Sequence, residues 1–300
     1  MNKIVILTDS SSNLNSSDRE SFGVEEIIPM HYFLDGVMHD ADGDWKEISY
    51  KDYYDAMRNG ARAKSAQVNA AQYKEAFVKY LDKGYDVLSI SCTSALSSSV
   101  KESFTARDEL QPKYPDQKIR CIDSACCNYA LALLIKDAAK LRDEGKDIDE
   151  IVEFIESVKL NYNEIGTVEK LTYLRAAGRV SASAAFFGGL FAVKPIIIYD
   201  TVGHNIAVAK VKGRRKSFEE IGDMVKKYAD VTEHKTIYIA HADAIEDAEE
   251  VAEIIQSKYE EKLQIVFGVV EPVVGSSVGP GTLILGFYAS KDMRVPLDKK

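Results

Sequence analysis

Residues 88–103, LSISCTSALSSSVKES, decide the fold. Just before and into them, residues 85–90 (YDVLSI) have the apolar, β-branched character of a buried parallel strand, and residues 100–110 have helical spacing. The serine-rich segment 91–99 therefore falls where a strand hands over to a helix. First-turn N–H groups of a helix lack internal partners and carry the positive end of its dipole, and the hydroxyls of Ser97, Ser98 and Ser99 add donors without adding charge. Such a place suits a carboxylate or a phosphate. A single serine there more often caps the helix or closes a turn, so the pattern gains weight from its repetition.

It is repeated twice. Residues 3–14, KIVILTDSSSNL, form an apolar run ending in Thr and Ser before a helical pattern, and residues 118–134, KIRCIDSACCNYALALL, run strand, Asp123-Ser124, then a long apolar-periodic helix. Three strand-to-helix crossings imply a parallel sheet, because right-handed crossovers return each strand in the same direction. All three hydroxyl-rich loops then share the carboxyl edge, where open α/β sheets bind ligands.

The 300 residues exceed one ordinary core and point to two lobes, with boundaries expected at 1–161 and 162–300. The fold class expected is α/β, with an N-terminal parallel-sheet lobe and a C-terminal α/β lobe containing an antiparallel hairpin. In the first lobe, residues 26–33 read as one strand before a turn at Asp35-Gly36, residues 50–57 as a helix, and residues 64–67 as a loop leading to a helix capped by Asn69. Helices at 129–142 and 148–160, the second capped by Asp147 or Asp149, close that lobe. The second lobe opens at 165–168 and a short helix. A Phe-, Ala- and Gly-rich helical segment at 182–190 follows, then a hairpin of 193–199 with 206–211. Helix and strand alternate through 217–228, 236–240, 244–258 and 264–269, and the strand 283–288 closes the chain.

A net charge of −9 argues against a nucleic-acid partner, since the only dense basic run is residues 210–216, KVKGRRK. Four cysteines (Cys92, Cys121, Cys126 and Cys127) fit neither a disulfide framework nor paired metal-ligand spacing, which reads as a reducing, cytoplasmic setting. Neither a leader with a long apolar core nor a membrane span is expected, because the most apolar late run is broken by Lys194-Pro195. No GxGxxG follows a strand, no GxxxxGK[ST] occurs, and the five histidines lack ligand spacing, so neither a nucleotide cofactor nor a metal is expected. Gly275-Ser276-Ser277-Val278-Gly279 matches the GxSxG nucleophile elbow. That elbow needs a following helix and a later histidine; here Gly279-Pro280-Gly281 and a strand-like run follow, and no His lies beyond His241.

Together, KIVILTDSSSNL, SALSSS, CIDSACCNYALALL, LTYLRAAGRVSASAAFFGGLFAVKPII, IAHADAIEDAEE and VVGSSVGPGTLILGFY stand in the order and spacing of the DegV family, which the chain resembles over nearly its whole length. That family comprises bacterial fatty-acid-binding proteins that hand an acyl chain to a fatty acid kinase. The resemblance implies two α/β lobes with one acyl chain between them and a carboxylate held by hydroxyls of the first lobe. The family's TSQ-type loop falls on Ser65-Ala66-Gln67, making Ser65 the first carboxylate contact. Its LSGT falls on residues 96–99 and makes Ser97 the second. Its GGR falls on Ala177-Gly178-Arg179, placing Arg179 near the head group. A family histidine before the closing GPG is replaced by Ser277. Thr8, Ser10, Ser94, Ser98 and Gly279 are expected in the supporting loops. The Ser at 65, Ser98 in place of glycine, Ala177 in place of glycine and Ser277 in place of histidine mark a divergent head-group site.

The resemblance thus implies a binding protein without catalysis of its own, which takes a long-chain fatty acid and presents its carboxylate to a partner kinase for acyl-phosphate formation in phospholipid metabolism. Burial of an acyl chain contributes about 0.8 kcal/mol per CH₂, on the order of 10 kcal/mol for a long chain, so no metal or nucleotide is needed for affinity. The alternative is a phosphotransfer enzyme or small-ester hydrolase at the same sheet edge, with His241 as its best candidate residue. A third reading is an interaction surface on the basic run 210–216.

Overall fold

The computed structural model describes residues 2–181, 193–232 and 234–296. In the first half the chain runs β1 (Ile4–Asp9), α1 (Ser16–Ser21), β2 (Glu26–Ile28), β3 (His31–Leu34), β4 (Val37–Asp40), α2 (Tyr50–Arg58) and β5 (Ala63–Ala66). It continues through α3 (Ala70–Leu81), β6 (Asp86–Ser91), α4 (Ser99–Leu110), β7 (Ile119–Asp123), α5 (Asn128–Asp143) and α6 (Ile148–Val158). Strands β1, β2, β6 and β7 form a four-stranded sheet in the order β2-β1-β6-β7, parallel throughout. The three repeated strand-to-helix loops therefore do share one carboxyl edge, because each crossover returns its strand in the same direction. Asn69 caps α3 and Asp147 caps α6, each in a reciprocal capping box with the residue three positions on.

The second half runs β8 (Tyr162–Thr167), α7 (Leu171–Ala177), β9 (Val180–Ser181), β10 (Val193–Tyr199), β11 (Asn205–Lys212) and α8 (Arg214–Tyr228). Then come β12 (Thr236–His241), α9 (Ile245–Gln256), β13 (Gln264–Val269), α10 (Pro272–Val278) and β14 (Leu283–Tyr288). These strands build a mixed sheet in the order β13-β12-β14-β8-β10-β11-β9, with β10 and β11 as the expected antiparallel hairpin. Period-2 alternation gives the sheet two buried faces. Ile165, Ile196 and Leu285 pack with Phe218 of α8 and Val251 of α9, while Tyr162, Ile197 and Ile284 belong to the core shared with the first half.

Helix α5 joins the two sheets. It packs on β1 from one side and on β8, β12 and β14 from the other, and its residues from Tyr129 to Ile135 are all buried. The approach is close: a Cβ on Gly286 of β14 would stand 2.7 Å from the Cβ of Tyr129. Glycine at 286 is what lets the sheet and the helix touch.

Two local readings need correction, and one helix goes beyond them. The expected strand 26–33 is two strands, because Pro29 has no N–H for a ladder; β2 pairs with β1, and β3 turns away into a separate antiparallel sheet, β4-β3-β5. Residues 64–67 are not a loop: Ala63–Ala66 is an edge strand, with Ser65 opposite Tyr32 of β3. Its polar, exposed composition hid it, since an edge strand needs little apolar alternation. Residues 272–278 form a helix that the sequence reading does not include, started by Pro272 at its first position and capped by the Glu271 carboxylate, which accepts from the N–H groups of Val273 and Val274. Residues 182–190, expected to be helical, lie outside the described residues.

Candidate binding cavity

The serine loop is held from both flanks by the two aspartates that end its neighbouring strands. Asp9, at the end of β1, accepts from the N–H of Cys92 at 3.0 Å and of Ser11 at 3.1 Å. Asp123, at the end of β7, accepts from the N–H of Ser94 and, at 3.1 Å, of Ala125. A backbone bond from Thr93 N–H to the Cys126 carbonyl completes the brace. The turn of the β10–β11 hairpin closes on the same loop: Thr93 Oγ1 donates to the Val202 carbonyl, and a Cβ on Gly203 would stand 2.4 Å from that oxygen. The repeated Asp-Ser at the ends of two apolar strands, Asp9-Ser10 and Asp123-Ser124, is the sequence signal for these anchors.

Within this frame the Ser97 and Ser99 hydroxyls lie 2.9 Å apart, and Ser99 Oγ accepts from Val68 N–H at 3.2 Å. Glu102 of α4 accepts in turn from Ala70 N–H and Gln67 Nε2, at 3.2 and 3.3 Å. Strand β5 and the serine loop, 31 residues apart between Val68 and Ser99, are thereby fixed side by side. Arg179 reaches across from the second half, its Nε donating to the Leu96 carbonyl at 3.2 Å and its Nη1 to the Ala177 carbonyl at 2.8 Å.

These elements enclose a cavity of about 580 Å³, within the ~300–1,000 Å³ typical of small-molecule sites. Six of the residues singled out in the sequence line it: Ser65, Ser94, Ser97, Ser98, Arg179 and Ser277. Ser65, Ser94, Ser98 and Arg179 lie at its exposed mouth. The hydroxyls of Ser65 and Ser277 make no hydrogen bond among the described residues. Ser277 comes from the last turn of α10 and is half-buried. Three expected residues do not line the cavity. Thr8 is buried within β1, Ser10 Oγ accepts from Met30 N–H at 3.0 Å, and Gly279 ends α10 at φ +79°, with its open face against Tyr173.

Away from the mouth the lining mixes the apolar Met30, Val168, Leu174, Ile197, Val278 and Ile284 with the buried polar Ser11, Asn128 and Thr282. One charged-type residue interrupts this wall. Glu164 of β8 is buried, and burial pushes its carboxyl up to about 8 despite the hydrogen bond from Tyr199. Cys92 and Cys127 also line the cavity; burial pushes the nearby Cys126 thiol up to about 12, and all four cysteines are free. Beneath the floor, Glu271 is likewise pushed up to about 8 by burial, against the two backbone N–H donors that pull it down.

The other sequence candidates stand elsewhere. His241 is buried outside the cavity, where its Nδ1 accepts from Ala244 N–H and burial lowers its basicity. In the basic run, Arg214 pairs with Asp247 at 2.8 Å and Arg215 with Glu250 at 2.6 Å. Among the described residues, no helix is long and apolar enough to cross a membrane.

Comparison with known proteins agrees with this architecture. The model of the DegV family, described as "Uncharacterised protein, DegV family", matches residues 3–290. A DegV domain-containing protein of Clostridium perfringens is 35% identical over 292 residues, covering 96% of this chain and 98% of its own. Among solved structures, a DegV family protein from Thermus thermophilus, studied for fatty acid binding, superposes with a TM-score of 0.84 at 22% identity, over 97% of this chain and 100% of its own. DegV from Bacillus subtilis, a fatty acid binding protein, gives a TM-score of 0.81 at 21% identity, over 97% and 100% of the two chains. A stearic-acid-binding protein from Eubacterium ventriosum gives 0.83 at 22% identity, over 97% and 99%.

Proposed function

The chain belongs to the DegV family, and from that premise we propose that it binds a long-chain fatty acid in the cavity and presents the carboxylate at the hydroxyl-lined mouth to a partner kinase. The observation that carries this reading is the arrangement of the cavity: serine hydroxyls with no partner among the described residues at its mouth, and a set of apolar side chains (Met30, Val168, Leu174, Ile197, Val278 and Ile284) behind them. An acyl chain matches the interior, since each buried CH₂ contributes about 0.8 kcal/mol. A carboxylate matches the mouth, where Ser65, Ser97 and Ser277 offer charge-assisted hydrogen bonds. Solved DegV proteins of the same fold that bind fatty acids support the assignment.

Arg179 has a different part in this reading from the one its position in the sequence suggests. Its guanidinium spends two donors on the Leu96 and Ala177 carbonyls, so it braces the serine loop across the mouth and adds long-range positive charge there. Among the described residues none at the mouth pairs a nucleophile with a base; in this reading the phosphoryl step falls to the partner, which reaches the head group through the exposed rim of Ser65, Ser94 and Ser98. Organic extraction of protein purified without detergent, followed by mass spectrometry, tests the reading. A stoichiometric host fatty acid is expected; reproducible absence of any acyl species, with no uptake across a range of chain lengths, contradicts it.

A further inference from the structure

Arg294 stands behind the cavity, in the segment that follows β14, and is 2% exposed. Its guanidinium lies over the Tyr199 ring at 5.0 Å and serves main-chain oxygens on several segments at once. Nη1 donates to the carbonyls of Ala125 at 2.7 Å and Asp200 at 3.3 Å, Nη2 to those of Tyr162 at 2.6 Å and Lys159 at 3.4 Å, and Nε to the Leu160 carbonyl and Asn163 Oδ1, both at 3.1 Å. Two of those carbonyls lead to the serine loop. Ala125 sits at φ +54°, a region that residues with a Cβ seldom enter. Arg294 holds its carbonyl, and its N–H donates to Asp123 Oδ1, which also accepts from Ser94 N–H. Asp200 opens the β10–β11 turn: its carboxylate accepts from the N–H groups of Val202 and His204, each at 2.9 Å, and the Val202 carbonyl accepts from Thr93 Oγ1. The two supports also touch each other, since a Cβ on Gly203 would stand 2.8 Å from the Ala125 carbonyl oxygen. One buried guanidinium thus ties down both supports that meet the loop, at Thr93 and at Ser94, just before Ser97.

We propose that Arg294 is a positioning residue for the head-group mouth: it holds Ala125 and the hairpin turn against the serine loop, and so sets where Ser97 meets the ligand's carboxylate without touching the ligand. This rests on the fatty-acid reading and deepens it, because it assigns the geometry of the mouth to a residue outside the cavity. Neither Arg294 nor Thr93 is among the residues that line the cavity. The planar fork of a guanidinium reaches several carbonyls in fixed directions, which the compact ammonium of lysine does not. An anchor of the fold alone would affect every ligand of the cavity alike, whereas a residue that positions the serine loop acts on the part of binding that depends on the carboxylate.

The test is the affinity of delipidated protein for octadecanoic acid and for its methyl ester, in the native protein, Arg294→Lys and Thr93→Val, each also combined with Ser65→Ala and Ser97→Ala together. Thr93→Val keeps the side chain's shape, cuts the hairpin support at its last bond and leaves Arg294 in place, so it decides alone if Arg294→Lys does not fold. Arg294→Lys is expected to lower the preference for acid over ester about three- to tenfold with the affinity for the ester unchanged. Thr93→Val is expected to lower it in the same direction, and neither substitution to lower it further once both serines are alanine. Equal losses for acid and ester, or a preference kept in every variant that folds, would make Arg294 an anchor of the fold only and overturn the inference while fatty-acid binding stands. A native protein that binds acid and ester equally takes the carboxylate away from the mouth, and the inference falls with it; one that binds neither overturns the fatty-acid reading as well.

Discussion

The backbone N–H of Val68, just after edge strand β5, donates to Ser99 Oγ at 3.2 Å, and with the bonds Glu102 accepts from Gln67 and Ala70 it holds that strand beside the serine loop. Ser99 is fully buried and its hydroxyl also meets that of Ser97. Ser99→Ala leaves a buried N–H unsatisfied and frees Ser65 and Ser97 to drift apart. Denaturant unfolding is expected to show a loss of about 1–3 kcal/mol, and fatty-acid release to become faster. Unchanged stability and unchanged release would mean that the two segments are held by other contacts.

Ser65 and Ser97 are the hydroxyls placed to receive the carboxylate. Replacing both by alanine is expected to weaken fatty-acid binding by about 1–3 kcal/mol while the far-ultraviolet spectrum and the thermal midpoint stay near native. Equal affinity in the double variant would move the head group to another part of the cavity.

Ser277, in the last turn of α10, lines the cavity with a hydroxyl that has no partner among the described residues, where the family resemblance expects an imidazole. Ser277→His extends a donor from the helix toward the mouth and is expected to slow ligand release by the equivalent of about 1 kcal/mol, with the preferred chain length unchanged. Stopped-flow dissociation of a saturated and an unsaturated acid checks this. A change in chain preference with unaltered release would place residue 277 along the tail.

Much of this architecture was legible in the chain. The apolar strand followed by Asp-Ser or a serine cluster, repeated at β1, β6 and β7, dictates a parallel sheet whose loops converge, and Asn69 and Asp147 announce their helices. Edge strand β5 was not legible, because AKSA gains its strand conformation from pairing with β3 rather than from its own pattern. Helix α10 was hidden for a related reason. Its glycine and serines favour turns, and what makes them helical is tertiary: Tyr53 and Tyr54 donate to the carbonyls of Pro272 and Val270, and Gly275 admits the Tyr54 ring. Glu164 could not be placed either, since NEIGT gives no sign that its glutamate turns toward a shared core.

The raised carboxyl of Glu164 sets a pH dependence whose sign follows from linkage. From the ordinary value of 4.5 in the unfolded chain up to about 8 in the folded one, folding retains a proton that unfolding releases. Its contribution is therefore present in full below pH 4.5 and lost as pH rises toward 8. In Glu164→Gln the fall of the thermal midpoint between about pH 5 and about pH 8 is expected to be shallower, with a residual slope from Glu271, which shares the window. An identical slope in the variant would mean that Glu164 is already ionised in the folded protein.

The carboxylate's place at the serine mouth is tested most directly by comparing the affinity of a long-chain fatty acid with that of its methyl ester, which has the same tail and no charge. The acid is expected to bind about ten- to a hundredfold more tightly, as charge-assisted hydrogen bonds require, and the difference should shrink when Ser65 and Ser97 are both alanine. Equal affinity of acid and ester, or a difference untouched by the double substitution, would contradict it.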